Sequence, residues 1–440
     1  MKKLKIFLKI LFIMINKKQK VLSLITFLIL LESVCLSMSM PVHFSVFREF
    51  NPYYTYNVFQ GHVRISQNNW LLSVRPFITN ENVGKQILGT DFTRNGFKGR
   101  FTHSYLQYKN DNLFIIFGRS PLTWGQSKQY SIIQSDLTPT YDQFRFKLTL
   151  GNLTGEILTG QLGSETMGGD RITRLIGGHR LTGHFLNEKL ELQIGEQIIY
   201  TGENRNIELF YLNPAVPYVF AVYDDDDLNV DEFNNDNGMI FINGKYDFEY
   251  PASVFFEFII DDYQVHDNQT QNMLGWKLGL EGQSDFSNYQ VNWETEYTQI
   301  DSWTYIHHGQ FTNWQNRGHA IGYPYGTDLR SFYVQADTWL KNETLKLDIE
   351  YTWLEKGANN INTSWGNNDT LDDPFPSEPV KTFHLLKTSI LYKTKYATLQ
   401  TGYTNKPFPY EIANGLIDEL KGGFFLSASL HYKMDITLKE

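Results

Sequence analysis

One cysteine, Cys35, is all that the 440 residues contain. The rest of the chain therefore has no disulfide and no thiolate metal site. Long apolar runs are just as scarce: only Val21–Leu31 comes near one, and mean hydropathy is −0.36. A helical membrane protein is excluded, since a spanning helix needs roughly 20 apolar residues. Dinucleotide, phosphate-loop and G-x-S-x-G fingerprints are all missing. A basic excess is also lacking, with 39 Lys and Arg against 48 Asp and Glu. Nucleic acid is thereby excluded as a partner, because binding the phosphate backbone needs clustered positive charge.

What is present begins with a leader. Lys17, Lys18 and Lys20 precede the apolar run, and a small-residue region with Ser37 and Ser39 follows it. That order is the order of a secretory signal, with cleavage just after Ser39. Met14 is a second candidate start. Glu32 interrupts the apolar run, which argues against a membrane anchor. Val34 stands before Cys35 where a lipid-acceptor cysteine needs a small residue. Removal of 1–39 takes seven lysines and one glutamate, leaving 32 basic and 47 acidic residues and a formal charge of −15. The expected organisation is a signal peptide at 1–39 and one β domain at 40–440.

That domain reads as strand after strand. Leu345, Leu347, Ile349, Tyr351 and Trp353 alternate with Lys346, Asp348, Glu350 and Thr352. Tyr289, Val291, Trp293 and Tyr297 alternate in the same way with Gln290, Asn292, Glu294 and Glu296, and the pattern recurs at Leu190–Gly195. About eighteen such segments run from Val42–Glu49 to Phe424–Tyr432, and short turns alternate with long connections. This is the signature of a transmembrane antiparallel β-barrel, apolar toward lipid and polar toward the lumen, with long extracellular loops. The expected setting is the Gram-negative outer membrane, with outer-membrane lipid around a monomer. Local expectations are a turn at Gly282–Ser287, a short helix over Ile412–Leu420 and an inward-folded connection at Tyr211–Tyr218. Arg119 is expected to pair a lumen carboxylate, and the last strand to stop near Tyr432.

The stretch between Gln299 and Ser331 breaks the rhythm. It crowds Trp303, Tyr305, His307, His308, Phe311, Trp314, His319, Tyr323 and Tyr325 among glycines, amides and Arg317. A long aromatic loop inside a β pattern is ordered and often functional. Aromatic faces beside hydrogen-bonding groups suit a polyhydroxylated ligand. Trp303, Tyr305, Trp314 and Trp365 are candidates for stacking on sugar rings. His307, His308, Asn313 and Arg317 are candidates for hydrogen bonding or for pairing acidic sugars. The other reading is a self-packed loop that closes the barrel end. Asp301, His307, His308 and His319 lack the spacing of a metal or hydrolytic site, so no enzyme activity is expected. A second oddity, Tyr223–Gly238, clusters acidic residues, and Asp224, Asp226, Asp231 and Asp236 suit Ca²⁺ as the one cofactor the chain suggests. A solvated acidic loop is the alternative, since the spacing is not that of an EF-hand.

Five segments in order carry a family resemblance: G-R-S-P-L-T-W-G at Gly118–Gly125, R-L-I-G-G-H-R-L-T-G-H at Arg174–His184, I-E-L-F-Y-L-N-P at Ile207–Pro214, N-D-N-G-M-I at Asn235–Ile240, and W-T-Y-I-H-H with its G-Y-P-Y-G-T-D continuation to Asp328. The chain resembles the Wzi-like capsule assembly proteins of the Gram-negative outer membrane. The resemblance implies an eighteen-stranded, lectin-like barrel that binds and anchors capsular or exopolysaccharide at the cell surface. A substrate-selective porin or polysaccharide-export channel is the alternative. Two departures stand out. The family's type member carries a helical periplasmic plug, for which this chain has little room before its first strand. Its Gly-Pro-Gly-like element is replaced after Trp124 by Gly125-Gln126-Ser127.

Overall fold

The computed structural model describes residues 38–80, 92–167, 169–218, 236–262, 272–307, 311–340, 343–363 and 374–438. The leader, apart from Met38 and Ser39, lies outside them. Eighteen antiparallel strands form one closed barrel. They are β1 (Met38–Phe50), β2 (Thr55–Gln67), β3 (Trp70–Asn80), β4 (Phe97–Lys109), β5 (Leu113–Ser120) and β6 (Tyr141–Leu150). Next come β7 (Leu153–Gln161), β8 (Asp170–Phe185), β9 (Leu190–Glu203), β10 (Asp236–Asp247), β11 (Ala252–Asp262) and β12 (Met273–Phe286). The last six are β13 (Tyr289–Ile300), β14 (Leu329–Leu340), β15 (Leu345–Lys356), β16 (Lys381–Lys393), β17 (Ala397–Thr404) and β18 (Gly423–Leu438). Each strand pairs with the next, and β18 closes on β1 from Met38↔Leu438 to Phe50↔Leu426. No sheet edge is left for water or lipid to meet, which spanning by strands requires.

Side-chain period decides which face each residue takes. Ile194, Leu278, Ile349, Ile390 and Leu430 are exposed on the outer surface, Leu430 by 68%. Their neighbours Gln193, Lys277, Glu350 and Ser389 are buried inside. In soluble protein such an outside would be an aggregation surface; in hydrocarbon it is the favourable one. Exposed Trp70, Phe185, Phe248, Tyr250, Phe286, Tyr289, Tyr392 and Tyr396 gather at the short-turn end, as expected at a headgroup boundary. The turns there are as tight as 68–69, 151–152 and 287–288, and Met38 of β1 and Leu438 of β18 lie on that side. The opposite end carries the long connections 121–140, 301–328, 357–380 and 405–422.

Five local expectations are corrected. The β12 ladder continues through Gly282 to Phe286, paired with Tyr289, so the turn is only Ser287–Asn288. Strand β18 passes Tyr432 and runs to Leu438, because Met38–Val42 extend β1 opposite it. The only helix in 405–422 is α1 (Pro409–Ala413). Gly415 then takes φ +66°, which ends it before Leu416. Arg119 does pair a carboxylate, Asp142 at 2.8 Å, but in step with Phe117 it lies on the outer face, not in the lumen. The 204–218 connection does not fold inward: Tyr211 and Tyr218 are buried against Leu175, Ile198 and Tyr200, which share the outer face of β8 and β9 with exposed Leu181 and Ile194, so it packs on the outside of the wall.

Candidate functional site

The lumen is occupied at the long-loop end by the chain itself. Connections 121–140 and 301–328 enter the barrel, and Trp124, Ile132, Ile133, Tyr305, Trp314, Ile321, Tyr323 and Tyr325 form one core with wall residues such as Leu158, Phe241 and Leu385. Apolar burial supplies the drive, and polar groups on the wall fix the position.

Glu257 of β11 holds the first loop. Its carboxylate accepts the backbone N–H groups of Gln126 at 2.6 Å, Ser127 at 2.8 Å and Ile132 at 2.8 Å. Ser131 Oγ donates to the same carboxylate at 3.0 Å. The Gly125-Gln126-Ser127 departure thereby acquires a reason. A proline at 126 would delete an N–H that the buried charge needs. Gly125 has φ +122°, and a Cβ there would run into Ser131 and the Glu257 carboxylate.

Asp261 and Arg174 hold the second loop. Asp261 accepts Tyr305 N–H at 2.6 Å and the Trp314 indole N–H at 2.9 Å. The Arg174 guanidinium donates to the carbonyls of Phe311 at 2.5 Å and of Asn313 and Gln315 at 2.9 Å each. The two loops also bond each other. Ser135 N–H donates to Ile321 O at 2.8 Å, and the Tyr305 hydroxyl donates to Ile132 O. Burial pushes the Tyr305 phenol well above its ordinary pKa, so it stays a neutral donor. At the loop's far end Gln315–Asn316 pairs with His319–Ala320. Arg317 and Gly318, both at positive φ, make the turn between them.

The candidate sugar residues divide by this geometry. Trp314, Tyr305 and Asn313 are wholly buried and Trp303 nearly so. Trp314 is sealed in the central core, Trp303 packs on Met273 and Ile306, and Asn313 bonds Ile361 O at 2.9 Å and His307 N–H at 2.8 Å. Their faces are spent on holding the loop, which corrects the expectation of open stacking platforms. His307, with Nδ1 3.0 Å from Thr312 Oγ1, and Arg317 are half-buried. His308 and Trp365 lie outside the described residues, as do Asp224, Asp226 and Asp231. Asp236 is buried, and its carboxylate is taken by the Arg205 guanidinium, at 3.0 Å for Nη2, and by the Tyr211 hydroxyl. That pairing replaces the role of Ca²⁺ ligand for Asp236.

Sequence reading missed the other end. A cavity of about 580 Å³ lies beside the short turns, lined among others by Lys128, Glu281, Asn292, Glu294, Gln335 and Asp337. Lys128 reaches it from the inward loop and bonds Glu281 at 2.6 Å. Alternation on β12–β14 already marks five of these six as inward.

No family model and no curated protein sequence matches the chain. Among solved structures, Wzi of Escherichia coli, described as an outer membrane protein involved in group 1 capsule assembly and a carbohydrate binding β-barrel, is similar with a TM-score of 0.62. The similarity covers 95% of this chain and 89% of that one, at 13% identity. OccD3 (OpdP) of Pseudomonas aeruginosa gives 0.48, over 90% and 91% of the two chains, at 10% identity. The motif resemblance and the shared architecture meet at one point: this chain is an eighteen-stranded outer-membrane β-barrel with the fold of Wzi.

Proposed function

We propose that this barrel binds capsular or exopolysaccharide at the cell surface and anchors it there without conducting solutes. The observation that carries the reading is the packed core of the 121–140 and 301–328 loops inside the lumen. A diffusion channel keeps its lumen wet; here tryptophans and tyrosines fill it. The likeness of fold to a carbohydrate binding barrel supports the same choice. Binding would be non-covalent, on the outer rim of the sealed loops. Arg317 and His307 are the contacts proposed there; the other two candidates, His308 and Trp365, lie outside the described residues.

Purified barrel immobilised in detergent and exposed to the polysaccharide of its own cells provides the test. Joint Arg317→Ala and His307→Ala substitution is expected to weaken capture about tenfold, the scale of one or two lost charge-assisted hydrogen bonds. Full capture by that variant would remove these residues from the site. No capture by the wild-type barrel would remove the function.

A further inference from the structure

We infer a second binding site, for an oxyanion, on one wall of the lumen at the short-turn end. A row of basic side chains crosses five adjacent strands there. Lys433 of β18 pairs with His43 of β1, and His43 with His62 of β2. Arg75 of β3 pairs with His103 of β4. Arg75 closes the row, because the β2–β3 register, Gln60↔Phe77 and Val63↔Val74, sets it opposite His62. The His62 and His103 rings are 5.9 Å apart. Arg64 stands one step nearer the turn on the same face as His62, opposite Ser73.

These groups face inward. Ser73, opposite Arg64, is buried, whereas Phe59, Phe101 and Leu106, of the other parity or on the other face, are exposed to lipid. His43 and Arg64 are nonetheless solvent-exposed, so water fills the lumen beside them. Inside the barrel wall a charge is normally neutralised, as Arg180 is by Glu156 at 2.7 Å and Lys277 by Glu296. Among the described residues neither Arg64 nor Arg75 has an ion-pair or side-chain hydrogen-bond partner, and Arg75 Nε is buried without one. Two unneutralised guanidiniums on a strand wall cost stability through mutual repulsion. A bound anion removes that cost and supplies the missing acceptors.

Local architecture supports the geometry. Pro76 has no N–H to give the ladder, and the register slips between Arg75 and Pro76. The extra residue, Thr102, donates its hydroxyl to Arg75 O at 3.3 Å. The slip falls where Arg75 and His103 meet, and bulges commonly re-aim side chains at sites. His62 Nε2 lies 3.0 Å from Ser73 Oγ, which orients that ring. The ligand class is a carboxylate- or phosphate-bearing solute that enters from the short-turn side. The site lies at the end opposite the sealed loops and does not depend on the glycan reading above.

The test is isothermal titration of the full chain, folded in detergent, with trigalacturonate, inorganic phosphate and maltotriose. Trigalacturonate or phosphate is expected to bind, and neutral maltotriose to bind at least tenfold more weakly at this wall; which anion binds identifies the source. The pair Arg64→Gln and Arg75→Gln is expected to weaken anion binding more than tenfold, and Arg75→Lys to restore part of it. Arg317→Ala, at the other end, should leave it unchanged. Heat-shifted electrophoretic mobility reports whether each variant is folded, and Arg64→Gln alone, at an exposed position, serves if the pair does not fold. Absence of anion binding by the wild type overturns the proposal, as does equal affinity in the folded double variant. Loss of polysaccharide capture with anion binding intact would count against the outer-rim reading only.

Discussion

Asp261 shows how much one buried carboxylate can govern. It accepts a backbone N–H and an indole N–H from the same loop, nine residues apart in sequence. Truncation to alanine strands both donors in a dry interior, at about 1–3 kcal/mol each. Asp261→Ala is therefore expected to loosen the 301–328 loop while the barrel stays closed. Trypsin is the probe, because Arg317 is the only cleavage site between Asp301 and Asp328. Wild-type protein should resist the cut, and the variant should be cleaved at least tenfold faster; equal rates would mean that Asp261 does not hold the loop. Joint Trp303→Ala and Trp314→Ala should act the same way, so any loss of glycan capture in that variant comes with cleavage at Arg317. The aromatic loop and its order were legible from residues 299–331. Its anchors were not. Asp261 and Arg174 lie 44 and 137 residues from the groups they bind, and nothing local in the sequence marks that distance.

Elements were far more legible than sites, and the reason is physical. Period-2 alternation is imposed on every strand by lipid on one side and polar lumen on the other, so each of the eighteen strands announces itself. Strand ends are quieter. At Gly282–Phe286 the ladder runs past the hydrocarbon and alternation no longer matters. Inward loops obey other rules, and Gly125 illustrates them. It is needed both for a positive φ and for the close approach of Glu257 and Ser131. Gly125→Ala is expected to destabilise by about 2 kcal/mol, combining backbone strain with overpacking. Gly155→Ala is the control, since a Cβ there meets nothing within 4 Å. Urea unfolding in lipid vesicles should show a lowered midpoint for the first and none for the second; a silent Gly125→Ala would mean that the loop repacks freely around it.

At the scale of the whole molecule, closure and plugging are separable properties, and that separability can be tested. The barrel is held by backbone ladders that join every strand to the next from β1 to β18, whereas the plug consists of two loops whose ends already meet. Ser120 and Tyr141 are paired across β5 and β6. Asp328 N–H donates to Asp301 O at 3.3 Å. Either loop can therefore be replaced by a short glycine-containing turn without stretching the wall. Loss of the apolar core inside lowers stability, but the lipid-facing surface and the hydrogen-bonded ladder remain. In planar bilayers the intact protein is expected to pass almost no current. Replacement of 302–327 alone should give small, noisy steps, because 121–140 still hangs from Glu257. Replacement of both loops should give stable porin-like conductance through a lumen lined by the basic row on one wall and by Glu281, Glu294 and Asp337 on another. Current through the intact protein would return the channel reading to first place. A folded double replacement that stays closed would mean that these two loops are not what seals the barrel.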